Sequence, residues 1–167
     1  MKKVLFVLFS LASTMAFSQK NDVVDIAISS KDHTTLVAAV KAADLVTTLK
    51  GEGPFTVFAP TNAAFDNLPA GTVESLLKPE NKAQLSKILT YHVVSGNLDA
   101  AAVVAAIKKG KGKVELTTVS GGKLIGSLEG DKVKLTDENG NSAYVIVADL
   151  KGSNGVVHVI DAVLLPK

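Results

Sequence analysis

Gly53-Pro-Phe-Thr-Val-Phe-Ala-Pro-Thr-Asn-Ala-Ala-Phe65 is the stretch around which this chain is organised. Phe55, Val57 and Ala59 alternate with Thr56 and Phe58, the period-2 pattern of a strand packed on both faces, and Pro60 removes a ladder donor and stops it. A helix is expected at once. Thr61 can place its hydroxyl on the first free amides, while Ala63, Ala64 and Phe65 supply a short turn whose aromatic ring faces back to the strand.

Upstream, Lys50-Gly51-Glu52-Gly53-Pro54 is a breaker cluster that delivers the chain into this strand. Before it, Asp22 to Ile28 reads as a short amphipathic stretch. Asp32 or Thr34 is the expected cap of a second helix, in which Leu36, Val37, Val40 and Ala43 share a face and which Leu45, Val46 and Leu49 extend. At the start, Lys2-Lys3, an apolar run from Val4 to Leu11 and the small-residue pattern Ala16-Phe17-Ser18 read as a secretory signal peptide, removed after Ser18. That run is shorter than the roughly 20 residues a membrane crossing needs, and no later segment approaches it, so no transmembrane segment is expected. Export to a secreted or periplasmic location is expected instead.

Removing residues 1–18 takes two lysines and no acid from the full-length 18 basic and 16 acidic residues, leaving a chain that is formally neutral. There is no arginine to grip phosphates or guanine edges in pairs, so nucleic acid is not an expected partner. Removing eighteen of 167 residues leaves 149, a length that suits a single domain over residues 19–167 with a core of its own. The absence of cysteine excludes disulfides, thiol catalysis and the acylated cysteine of a lipoprotein.

Downstream, helical patterns are expected over Thr72 to Leu77 and Pro79 to Thr90, the second with Leu85, Ile88 and Leu89 on its inner face. Tyr91-His92-Val93-Val94 reads as a short strand, and Asp99 as the cap of an alanine-rich helix ending near Lys108. From Lys113 onward the pattern changes to strands over Val114 to Val119, Lys123 to Leu128, Lys132 to Thr136, Ala143 to Ala148 and Val156 to Leu165. Gly121-Gly122, Gly130-Asp131 and Asn139-Gly140 supply hairpin turns between them. Helices first and an antiparallel meander afterward predict an α+β domain.

Thr56 to Phe65 resembles the first signature block of the fasciclin domain, Asn154-Gly-Val-Val-His-Val-Ile-Asp-Ala-Val-Leu164 resembles its second, and Tyr91-His92 resembles the pair between them. The resemblance implies a fasciclin-like β-wedge or sandwich of antiparallel strands flanked by N-terminal helices. It further implies a non-enzymatic module for cell adhesion or association with extracellular matrix, whose partner is a cell-surface or matrix protein or glycan. In animal members the Tyr-His region and an Asp-Ile pair ahead of the second block are linked to integrin binding. Tyr91 and His92 match the former, and Asp149-Leu150 matches the latter with Leu in place of Ile. These four residues are the adhesion candidates.

Each candidate also has a structural reading. A phenol and an imidazole at Tyr91-His92 can tie helix to sheet by hydrogen bonds. Thr61, Asn62, His158 and Asp161, polar groups inside the signature blocks, read as caps and bridges. Lys108, Lys109, Lys111 and Lys113 form a compact cationic segment, a candidate polyanion contact or else a solvated connection. His33, His92 and His158 lack the close pairing of metal ligands, and Asp137-Glu-Asn-Gly-Asn141 begins like a calcium loop but has Ser142 and Ala148 where that loop needs Gly and Glu. Neither a metal nor a cofactor is expected. No nucleophile elbow or phosphate loop supports catalysis. The alternative from another class is an extracellular polysaccharide- or lipid-binding pocket protein or hydrolase.

Overall fold

The computed structural model describes residues 21–167, and the expected signal peptide lies outside the described residues. Helices α1 (Val23–Ser29), α2 (Thr34–Ala42), α3 (Val46–Leu49), α4 (Asn62–Asp66), α5 (Thr72–Leu76), α6 (Lys82–Tyr91) and α7 (Ala100–Lys109) are joined by strands β1 (Phe55–Pro60), β2 (Val93–Ser95), β3 (Lys113–Thr117), β4 (Lys123–Glu129), β5 (Lys132–Thr136), β6 (Ser142–Gly152) and β7 (Gly155–Ile160). The seven strands form one mixed sheet in the order β2-β1-β7-β6-β5-β4-β3. Its two ends meet through a Val94–Thr118 bridge and a 2.7 Å bond from Val119 N–H to Val93 O, so the sheet nearly closes into a barrel.

The meander β3 to β7 is antiparallel, but β1 and β7 run parallel, Phe55 opposite Gly155 through Pro60 opposite Ile160. The signature strands therefore lie side by side in the sheet. A side chain at Gly155 would place its Cβ 2.0 Å from Phe55 O, so glycine is required for this approach. Burial on both faces fits the run Val156 to Ile160, apolar except for the buried His158.

Two cores follow from the alternation of β1. Phe55, Val57 and Ala59 pack with Leu36, Val40, Leu49, Leu85 and Leu89 beneath the helices. Phe58 points the other way, into the barrel interior with Tyr91, Leu124, Leu135, Ile160 and Leu164.

Local chemistry moves several expected boundaries. Ser30, not Asp32 or Thr34, caps the chain entering the second helix, through a 3₁₀ turn over Lys31–His33. That helix does not extend through Leu45: Asp44 adopts φ +61°, a left-handed conformation that aspartate tolerates, and Leu45 N–H closes the end on Val40 O. Tyr91 belongs to the last turn of α6 and His92 caps it, so the strand expected from Tyr91 starts at Val93. The last strand stops at Ile160 rather than Leu165, and the tail beyond it folds back with Val163 and Leu164 buried.

Candidate functional site

His92 sits at the junction of helix, strand and tail. Its Nδ1 lies 2.9 Å from Ile88 O, in the last turn of α6, and Leu164 N–H donates to its Nε2 at 3.0 Å. The second bond makes Nε2 an acceptor, so the proton resides on Nδ1 and the ring is neutral. Complete burial drives its pKa down to about 4, against partial opposition from the Ile88 carbonyl and Asp137. The Tyr91 hydroxyl donates to Lys123 O at 2.7 Å and accepts from Glu138 N–H at 3.2 Å, and desolvation lifts its pKa to about 12. Gly122 lies against this ring, where a Cβ would come within 2.6 Å of it.

Tyr91 and His92 are 0% and 3% exposed. Neither ring reaches solvent, so the adhesive contact expected of them is not available at this surface. Their atoms join the end of α6 to β4, the β5–β6 turn and the tail.

His158 repeats the arrangement in the opposite tautomer. Asp149 N–H donates to its Nδ1 at 3.3 Å, leaving Nε2–H to donate to Leu98 O at 2.7 Å, and the ring stacks on Phe58 at 5.6 Å. Asp149 has φ +61°, and its exposed carboxylate accepts Ala100 N–H at 2.7 Å, capping α7 alongside Asp99, which accepts Ala102 N–H. Leu150 is half-buried against the helical core. The adhesion candidates Asp149 and Leu150 are thus both engaged within the fold.

The motif residues do similar work. Thr61 caps α4, while Asn62 reaches across to α2, accepting from Thr35 N–H at 3.0 Å and the Thr34 hydroxyl and donating to Lys31 O. Asp161 accepts Tyr144 N–H at 2.8 Å. Asn154, which sequence reasoning passed over, accepts Val23 N–H and donates to Leu49 O and Gly51 O, gathering α1 and α3 onto the start of β7. Its place as the first residue of the second signature block was the available signal. Asp137, the first residue of the segment that begins like a calcium loop, serves the fold instead. Its buried carboxylate accepts from Asn139 N–H, Asn141 N–H, the Asn141 amide and Leu165 N–H. Those donors leave no open face for a cation.

Among the described residues no three histidine, aspartate or glutamate side chains converge as metal ligands, and no helix is long and apolar enough to cross a membrane. A cleft of about 670 Å³ lies between the 50–54 loop, Asn97, Asp99 and the 151–156 turn. Of its charged groups, Lys50 is tied to Asp22 and Asp25 and Asp99 caps α7, while Glu52 and Lys151 line it from exposed positions. Lys108, Lys109, Lys111 and Lys113 are all exposed and, among the described residues, make no ion pair.

The chain belongs to the fasciclin domain family, whose profile matches residues 31–166. It is 51% identical over 157 residues to protein sll1483 of Synechocystis, covering 94% of this chain and 80% of that protein. To the immunogenic protein MPB70 of Mycobacterium bovis it is 38% identical over 161 residues, 93% of this chain and 74% of the relative. The FAS1 domain pair of the insect cell adhesion molecule fasciclin I has the same fold, with a TM-score of 0.63 at 20% identity, over 78% of this chain and 43% of that one.

Proposed function

We propose that this protein is an exported, non-catalytic interaction module that holds a cell-surface or matrix protein or glycan through exposed groups outside the signature blocks. The observation that carries this is the division of labour among polar side chains. Tyr91, His92, His158, Asn62, Asn154 and Asp137 bond within the fold, whereas the four lysines from Lys108 to Lys113 stand in solvent without carboxylate partners among the described residues. The adhesion role of the insect relative with this fold supports the same reading. The signal-peptide pattern read in the sequence of residues 1–18 supports export.

The test is to pull down partners from envelope and matrix fractions with the mature protein, together with intact-mass measurement of the exported product. Specific retention of a surface or matrix component, on a product beginning at Gln19, is the expected result. Retention of nothing, or turnover of a polysaccharide or lipid, would replace the module with the pocket-protein or hydrolase reading.

A further inference from the structure

Between α7 and the β5–β6 side of the barrel lies a second, smaller concavity of about 170 Å³. Phe58 and His158, buried and stacked, border it, as do Val104, Val133, Val145 and Ala148. Both nitrogens of His158 are engaged by backbone groups, so the ring presents no free hydrogen-bonding atom there. The pit suits an apolar group.

Strand β6 is deformed where it borders the pit. Val145 and Ala148 are three positions apart and would point to opposite faces of an unbroken strand. The pairing with β7 slips between Val145 and Val147 and again between Val147 and Leu150, and both residues line the pit. Bulges of this kind re-aim side chains and concentrate beside functional sites. The segment ends at Asp149, a non-glycine residue at φ +61°, whose carboxylate holds Ala100 N–H and so fixes the start of α7, the opposite wall. Backbone held in such a region points to a function. Two large apolar side chains in the same segment, Ile146 and Val147, are 49% and 46% exposed, and nothing in the core uses them.

We propose that this pit receives one bulky apolar side chain of a protein partner, with acidic residues on either side of that anchor. Size separates this occupant from a small molecule: sites for drug-sized ligands enclose about 300 to 1,000 Å³, whereas the volume here is that of a single side-chain anchor. The surroundings match the usual interface pattern of a deep central pocket inside a flatter apolar ring and a charged rim. A shallow apolar depression along Ala101, Val104 and Ala105, sharing Val104 with the pit, supplies that flatter apolar surface. At the rim, Lys132 and, at the edge of the depression, Lys108 make no ion pair among the described residues, with Asp131 beside Lys132. The proposal rests on the adhesive reading above and gives it a contact surface.

Methyl NMR of the mature protein titrated with acetyl-Asp-Leu-Asp-amide, its Asp-Ala-Asp analogue and hexanoate tests this. Saturable shifts at the methyls of Val104, Val133 and Ala148 with the leucine peptide, about tenfold weaker for the alanine peptide, are expected. Ala148→Phe, at an exposed position, should fill the pit and remove the response without lowering the melting temperature. Should that variant melt early, Val104→Thr, similar in shape but polar, asks the same question. Absence of shifts at the pit, or a stronger response to hexanoate than to the leucine peptide, overturns the proposal. If Ala148→Phe binds envelope and matrix fractions as well as the wild type does, the pit is rejected while the adhesive reading stands. If the wild type binds neither fraction yet shows the peptide shifts, the adhesive reading fails and the pit survives.

Discussion

His92 illustrates how much one neutral side chain can hold. Its two nitrogens join a helix carbonyl to a tail amide that are far apart in sequence, and both bonds are buried. Replacing it by alanine leaves Leu164 N–H and Ile88 O without these bonds, and a loss of roughly 1 to 3 kcal/mol is expected as a lower denaturant midpoint at constant slope. An unchanged midpoint would remove this structural role. The same geometry sets a pH dependence. Burial of the ring disfavours its charged form and holds the pKa at about 4 against an ordinary 6.5, and protonation would also turn Nε2 into a donor facing the Leu164 N–H. The unfolded chain binds the proton first. Stability is therefore complete above about pH 6.5, declines as pH falls toward 4, and levels off below, for a total of roughly 3 kcal/mol from this ring. Burial lowers the pKa of His33 as well, so its contribution has the same sign. Unfolding free energies measured from pH 8 to 3.5 should show this decline in the wild type and a shallower one in His92→Gln; equal slopes would show that other groups carry the acid sensitivity.

Among the elements, Asn154 fastens the first helices to the sheet. Asn154→Ala strands Val23 N–H, Leu49 O and Gly51 O, and about 1 to 3 kcal/mol should be lost. Faster amide exchange should appear first in α1, since this helix has only seven residues and its Val23 N–H is one of the groups left without a partner; protection lost evenly along the chain would contradict that attachment. Such long-range ties were the least legible part of the sequence. The period-2 alternation of Phe55 to Ala59 and the capping chemistry of Thr61 and Asp99 are local, and the strand and helices they imply are present. Nothing local says which strand lies beside which, so the parallel contact of the two signature strands was not readable from hairpin signals alone. The cap of the second helix differs from expectation for a related reason. Ser30 caps the 3₁₀ turn that leads into it, and the Thr35 N–H is satisfied by Asn62 from another element. The pit was hidden too, because it depends on two register slips in β6 that the run Ala143 to Ala148 does not announce.

For the whole molecule, charge is nearly balanced once residues 1–18 are removed, yet four of the remaining lysines crowd one end of α7 and the turn that follows. They need not share one role. Lys108 and Lys109 lie in the last turn of α7, where a cation interacts favourably with the helix dipole, typically by about 0.3 to 1 kcal/mol each. Lys111 and Lys113 lie beyond the helix. If the cluster holds a polyanion, retention on an acidic glycan should fall with salt, because exposed charges are screened over about 8 Å at physiological ionic strength. Lys111→Gln with Lys113→Gln should weaken retention while leaving stability within about 0.5 kcal/mol, and converting all four should abolish it at a further small cost in stability from the helix end. Heparin-column elution and denaturant unfolding on the same variants separate the two effects. Elution unchanged when all four are glutamine, or retention insensitive to salt, would remove the cluster as a polyanion contact and leave the pit beside α7 as the surface through which a partner is held.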